Sequence, residues 1–296
     1  MDYFAHSALS RTDLKNILTS PKYFYNLKTG IIEPKQSNQM QLGTLIHQAL
    51  LEPDKFASEN EVLRSITIKE QDIKAVKGQC RWEQVDAVID GDTTYYIFAE
   101  PDSETALATM QERLQNYHGK PIILPSVYSQ INRMVESLWN NPIVERCIAG
   151  AVPEQMLVGE IDGCPVKCKA DAYNPNLGII MDYKTTDRSI NPKSFAWEIS
   201  KWALDIQAYL YQEIFRQNGM GYNFKFIVQN KSSYESIVFN PSNAILEQGE
   251  RKAKLAIGIY KACSENNKWH DFVDEFGNDN SSAEFDLNLP QEREEL

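Results

Sequence analysis

The sequence predicts a mixed α/β fold in which a central mixed sheet is flanked by helices. Two observations carry this. Amphipathic helical patterns occupy both ends of the chain, and a run of alternating and apolar strand-like segments joined by tight turns occupies its middle. The order is helices, then a strand meander, then helix, strands and helix, which suits a mixed sheet rather than a doubly wound parallel one.

The elements follow in order. Ser10 with Asp13 forms a capping-box variant that opens a helix running through Leu18. Ser20-Pro21 restarts the chain, with Tyr23, Phe24 and Leu27 on one apolar face. Gly30 to Asn38 reads as a loop, and Met40, Leu42, Leu45, Ile46, Ala49 and Leu50 mark a buried helix from Gln39 to Leu51 that Glu52-Pro53 ends. Residues 54–118 are the least patterned, with strand-like runs at Glu61 to Ile68 and Thr93 to Ala99 and a turn at Asp90-Gly91-Asp92. Ser126 to Trp139 is an amphipathic helix. Strands are expected over Gln155 to Ile161, Val166 to Tyr173 and Gly178 to Lys184, the first two joined by an Asp162-Gly163 hairpin turn. A long helix, interrupted near Ser200, spans Phe195 to Gln217; a strand pair covers Phe224 to Gln229 and Ser233 to Phe239; Pro241 opens a last helix to about Cys263. The expected organisation is one domain over residues 1–270, with a divergent insertion at about 54–118 and an acidic, flexible tail over 271–296.

Composition narrows the function classes. The chain has 296 residues, 42% of them hydrophobic, enough for a sizeable core. No apolar run is long enough to span a bilayer, and the first residues lack the pattern of a secretory signal, so a cytoplasmic, membrane-free protein is expected. The five cysteines, Cys80, Cys147, Cys164, Cys168 and Cys263, are odd in number and scattered, as expected of reduced thiols. Of the net charge of −11, the stretch Asp271–Leu296 carries −8 (nine acidic residues and Arg293), leaving −3 for the other 270 residues. An acidic tail of this kind is a solvated segment, so net charge neither supports nor excludes a nucleic-acid partner.

The chemistry centres on Ile180-Met181-Asp182-Tyr183-Lys184. Residues two apart on a strand share a face, so Asp182 and Lys184 project together from an otherwise apolar strand. Burying a carboxylate and an ammonium there is costly unless they have partners or work. Taken alone, an Asp-x-Lys spacing is common and a simple ion pair at a strand end is the better explanation of it. Asp171 ends the preceding strand, and an antiparallel pairing could bring it beside Asp182. Two facing carboxylates stay ionised together only with a cation between them, and oxygen ligands of this kind suit Mg²⁺ or Mn²⁺. Such a metal would polarise a phosphate and acidify a water, with Lys184 orienting that water or stabilising charge at phosphorus. Glu154, opening the first strand of the hairpin, could serve as a further ligand or a general base. His47 sits on an otherwise apolar helix, where a satisfied core histidine is the competing explanation. Gln207 and Tyr211, four apart on one helix face, can point at one ligand or simply decorate the helix.

The ordered set is more specific than any member. Leu42-Gly43-Thr44-Leu45-Ile46-His47, Val152-Pro153-Glu154, Lys169-Ala170-Asp171, Ile180-Met181-Asp182-Tyr183-Lys184-Thr185-Thr186 and Gln207-Ala208-Tyr209-Leu210-Tyr211, with Ser20-Pro21-Lys22-Tyr23-Phe24 before them, resemble the RecB-like branch of the PD-(D/E)XK nucleases. Within it the chain most resembles the RecE-type exonucleases (exodeoxyribonuclease VIII family) of phages and prophages, from about Ser7 to about Tyr260; residues 54–118 carry no family motif. The resemblance implies a Mg²⁺-dependent nuclease, Mn²⁺ being the alternative, that degrades one strand of linear duplex DNA from its 5′ end and leaves 3′ single strands for recombination by annealing. It further implies a homo-oligomeric ring and a partner annealing protein of the RecT class. By this resemblance Asp171 and Asp182 are metal ligands, completed by His47, Glu154 and the Tyr183 carbonyl. Lys184 serves the attacking water, and Gln207 and Tyr211 contact the DNA backbone or hold the site. Arg11, Lys15, Lys22, Lys28 and Lys35 give the N-terminal region positive charge for phosphates, against the simpler account of a solvated helix face. Helicase-linked and CRISPR-associated nucleases of this chemistry commonly hold an iron–sulfur cluster with one early and three late cysteines, a trio absent here. A non-catalytic DNA-binding protein on the same fold should have lost an element, and all five are present.

Overall fold

The computed structural model describes residues 3, 5–33, 38–62, 83–90, 93–99, 122–123 and 125–272. Ser10 starts α1 (Arg11–Thr19) with a reciprocal capping box: the Asp13 N–H donates to Ser10 Oγ at 3.2 Å and the Ser10 N–H donates to Asp13 Oδ2 at 2.8 Å. Ser20 then caps α2 (Pro21–Lys28), with Pro21 in the first turn. Its apolar face is narrower than the pattern suggests, because Phe24 is buried while Tyr23 is 40% exposed. Next comes α3 (Asn38–Leu51), which begins at the end of the expected loop; residues 34–37 lie outside the described residues. Glu52-Pro53 does end α3, but Pro53 also opens α4 (Pro53–Glu59), because a fixed φ and a missing N–H suit the first position of a new helix.

Of the strands expected in the poorly patterned region, β1 (Glu61–Val62) pairs in parallel with β4 (Ile122–Ile123). The hairpin of β2 (Glu83–Asp90) and β3 (Thr93–Ala99) is antiparallel, with Asp90 opposite Thr93 as the expected turn requires; Gly91 and Asp92 lie outside the described residues. Helix α5 (Pro125–Trp139) buries Ile131, Met134 and Leu138 completely. It is followed by α6 (Pro142–Ile148), capped by Asn141, which is too short for sequence periodicity to show.

The central sheet has the order β5-β6-β7-β8-β9. Strands β5 (Val152–Ile161) and β6 (Cys164–Asn174) form the hairpin predicted by Asp162-Gly163, both turn residues taking positive φ (48° and 73°). Strand β7 (Ile179–Thr186) pairs antiparallel with β6 and parallel with β8 (Asn223–Asn230), and β9 (Ser236–Phe239) completes an antiparallel edge. The parallel β7–β8 step needs a crossover. That crossover is not the one interrupted helix expected but two, α7 (Pro192–Trp202) and α8 (Leu204–Gln217), separated by Ala203 in the left-handed region (φ 51°). The last helix, α9 (Asn243–Asn266), starts at the Ser242 cap rather than at Pro241 and runs three residues past Cys263. It lies close on α8, since a Cβ on Gly249 would stand 2.1 Å from the Asp205 carbonyl oxygen.

Each face of the sheet carries its own core. On one face Ile180, Phe224 and Phe226 pack with Leu14 of α1, Phe195 of α7, Leu210 of α8 and Ile257 of α9. On the other, Met181 and Ile227 pack with Ile46 of α3, Met134 of α5 and Val144 of α6. The mixed sheet flanked by helices is therefore as the sequence predicted. The four described cysteines are free, buried thiols; burial pushes Cys168 up to about 12, and Cys80 lies outside the described residues. No described helix is long and apolar enough to cross a membrane. Of the acidic tail, only Asp271 and Phe272 are described, with Asp271 pairing to Lys22 at 3.4 Å.

Candidate active site

The ladder between β6 and β7 is short. It runs from Asn174↔Ile179 to Ala172↔Met181 and stops, so the strands part at the next positions, Asp171 and Asp182. Where backbone pairing ends, side chains take over: Asp171 Oδ2 accepts the Tyr183 N–H at 2.7 Å across the fork. The β5–β6 ladder is interrupted at the same level. Pro153↔Ala172 and Gln155↔Ala170 are paired, but Glu154, opposite Asp171 by register, is not. Glu154 has φ 55°, a left-handed conformation that costs a non-glycine residue roughly 1–2 kcal/mol. Strain of this kind persists where surrounding contacts over-determine it, commonly at functional sites.

Helix α3 brings the histidine over the fork. Gly43 faces β7, where a Cβ would sit 3.5 Å from Thr185 Oγ1, and His47 follows one turn later. His47 Nε2 is 3.4 Å from Asp171 Oδ1 and 3.6 Å from Glu154 Oε1. His47, Glu154 and Asp171 thus offer one ligand atom each, all within 4.8 Å of one another. His47 Nε2 is buried and faces these two carboxylates rather than apolar side chains.

Asp182 stands beside this trio rather than in it. It is 1% exposed, with Oδ2 2.5 Å from Lys184 Nζ and Oδ1 accepting from Gln207 Nε2 at 2.5 Å. Asp182 and Lys184 share a face, as period two requires. Gln207 and Tyr211, expected either to meet DNA or to hold the site, are both buried on α8, and the Tyr211 hydroxyl donates to the Lys169 carbonyl at 3.1 Å. Arg11 is likewise engaged within the protein. Its guanidinium donates to the Trp202 carbonyl at 2.7 Å, and burial pushes its pKa down against the pull of Asp182, Tyr211 and Asp205. Of the other N-terminal cations, Lys28 pairs with Asp13 at 3.1 Å and Lys22 with Asp271, while Lys35 lies outside the described residues.

One site residue escaped the sequence reading. Lys169 forms an ion pair with Glu154 and also lies over the Tyr3 ring at 5.8 Å. The signal was available, since Lys169 precedes Asp171 by two on the same strand face. Its neighbour Lys167 is held inside by the carbonyls of Tyr3 (2.6 Å) and His6 (2.7 Å), while Leu9 bridges to Val166 on the strand edge.

The electrostatics divide the two aspartates. Burial raises the Asp171 pKa, but His47, Lys184 and the Tyr183 N–H outweigh it and hold the group below its usual value. Burial and then the neighbouring Asp171 charge raise Asp182, and Lys184 and Arg11 offset this only in part. For His47, burial lowers the pKa, and hydrogen bonding and charge from Asp171, with Glu154 and Asp182, reverse this to a net rise. A divalent cation fits these donors. Imidazole nitrogen and carboxylate oxygens are ligands such ions accept, and one such atom each from His47, Glu154 and Asp171 already lies within 4.8 Å of the others.

A family model described as a PDDEXK-like domain of unknown function (DUF3799) matches residues 10–275. Among solved structures, the chain is similar to a presumed exonuclease from Eubacterium rectale, with 13% identity and a TM-score of 0.57, over 98% of this chain and 95% of that one. That likeness is one of fold. A second structure, of the protein SSO0001, has 18% identity over 51% of this chain and 66% of that one, with a TM-score of 0.28 that carries no argument. No curated protein matches the chain in sequence.

Proposed function

The chain belongs to the family of PDDEXK-like domains DUF3799, and from that premise we propose that it is a metal-dependent exodeoxyribonuclease acting on linear duplex DNA. One observation carries the proposal: His47, Glu154 and Asp171 converge beside the Asp182–Lys184 pair at the fork between β6 and β7. In this reading that arrangement supplies the donors for a cation and a positioned ammonium in one place.

In this reading His47, Glu154, Asp171 and Asp182 hold Mg²⁺, with Mn²⁺ able to substitute. The Tyr183 carbonyl is a further ligand; in an extended strand it leaves the same edge as the Tyr183 N–H, which faces Asp171. When bound, the cation supplies Lewis-acid polarisation of the scissile phosphate and a lowered pKa for water at the site. Lys184 orients the attacking water and stabilises charge developing at phosphorus. Alternatively Glu154, once released from Lys169, would leave the cation to the other ligands and take the water's proton. Gln207 fixes the rotamer of Asp182, and Tyr211 ties α8 to β6.

The finer reading follows the RecE-type resemblance: 5′-to-3′ digestion leaving 3′ single strands for annealing, a homo-oligomeric ring around the duplex, and a RecT-class partner. A ring has a physical rationale, since enclosure keeps the enzyme on the duplex between cuts. One domain over 1–270 with an acidic tail, in the cytoplasm, belongs to the same proposal. Linear duplexes labelled at the 5′ or the 3′ end, together with a covalently closed circle, test it. The 5′ label should appear first as short product and the circle should resist. Rapid cutting of the circle would replace this reading with that of an endonuclease, and early release of the 3′ label would reverse the polarity.

A further inference from the structure

A cationic and aromatic ladder flanks the site. Arg188 lies 4.2 Å from the Trp197 ring centroid, Lys201 lies 4.7 Å from Trp197 and 4.8 Å from Trp202, and Lys15 lies 5.0 Å from Trp202. Cation, ring, cation, ring and cation alternate from the loop after β7, along α7, to α1. Trp202 is 45% exposed and Trp197 is half-buried, and Arg188 and Lys201 are exposed. Neither Arg188, Lys201 nor Lys15 forms an ion pair with a described residue, although the chain carries a net charge of −11. The nearby carboxylates are spoken for. Glu198 turns inward to accept from Thr186 Oγ1 at 2.6 Å, and Asp187 pairs with Lys231 at 2.6 Å.

The ladder is tied to the site at two of its rungs. Arg188 follows Lys184 by four residues at the end of β7. The Trp202 carbonyl accepts from Arg11, whose charge acts on Asp182. We propose that this ladder binds single-stranded DNA beside the active site, Trp202 and Trp197 stacking on bases while Lys15, Lys201 and Arg188 meet the phosphates. A base stacked on an indole is worth more than an exposed cation–π contact, so a base displaces the lysine from the ring and frees its ammonium for the backbone. Neither contact reads sequence, so the preference is for unpaired strand rather than for particular bases. The proposal rests on the nuclease reading only in naming DNA as the ligand's source.

Fluorescence anisotropy with a labelled thymidine oligomer, in chelator so that nothing is cut, tests it. Trp202→Ala should weaken binding about tenfold or more, and Trp202→Phe should restore most of it. Lys201→Glu should weaken binding and flatten its salt dependence. Thermal melts identify any variant that fails to fold, and if Trp202→Ala does, Trp197→Ala takes its place. Unchanged affinity in Trp202→Ala, or loss in Lys201→Glu alone, would overturn the stacking proposal while leaving the nuclease reading intact. Single-strand binding that depends on Trp202, in a protein that cleaves no DNA with Mg²⁺, would sink the nuclease reading and support the ladder.

Discussion

Lys184→Ala is expected to slow metal-dependent DNA cleavage by about 10²–10³-fold or more, the scale seen when one preorganised charge stabiliser is removed. The side chain is positioned for that work. Its ammonium is held 2.5 Å from a buried Asp182 oxygen, yet it remains 31% exposed and so reaches solvent and substrate. The fold should survive, because Lys184 contributes no core packing and its strand is held by its pairing with β8 and by the apolar residues on both faces. Rates on linear duplex DNA, compared with circular dichroism spectra of the two proteins, check this. Near-normal turnover in a folded Lys184→Ala protein would remove Lys184 from the chemistry.

Divalent cations are expected to stabilise the protein, and Asp171→Ala to abolish that effect. At a concentration one hundred times Kd, linkage supplies about 2.7 kcal/mol, which for a domain of this size is a rise in Tm of roughly 5–10 °C. Asp171 is the natural site for the substitution, as it touches His47 and closes the fork through the Tyr183 N–H. The effect depends on pH with a definite sign. The His47 pKa lies above its usual value, so its favourable contribution to the metal-free protein is present at low pH and fades as pH rises through the raised pKa. The cation must displace that proton, so its stabilisation runs the other way and grows from pH 6 to pH 8. Thermal melts with and without Mn²⁺ at both pH values measure it. Equal stabilisation of wild type and Asp171→Ala would place the cation elsewhere.

Much of the fork was legible in the chain. Period two put Asp182 and Lys184 on one face, and Asp162-Gly163 fixed a two-residue turn. That turn sets the register: counting seven residues back from Ile161 and seven forward from Cys164 places Glu154 opposite Asp171. What the sequence did not display are features decided by tertiary contact. The positive φ of Glu154 and of Ala203 belongs to residues with no intrinsic preference for it. Helix α6, with seven residues, is too short to show a period. Gln207 and Tyr211 looked equally suited to a ligand or to the interior, and only the packing of α8 against β6 and β7 turned them inward. Of the four side chains expected as metal ligands, His47, Glu154 and Asp171 stand closest together, and Asp182 stands beside them, held by Lys184 and Gln207.

The most direct test of the central claim is a time course of the purified protein on linear duplex DNA, with Mg²⁺ in one reaction and excess chelator in the other. Progressive loss of duplex in Mg²⁺ and none in chelator is the predicted result. Intact DNA in both, with Mn²⁺ as ineffective as Mg²⁺, would contradict it.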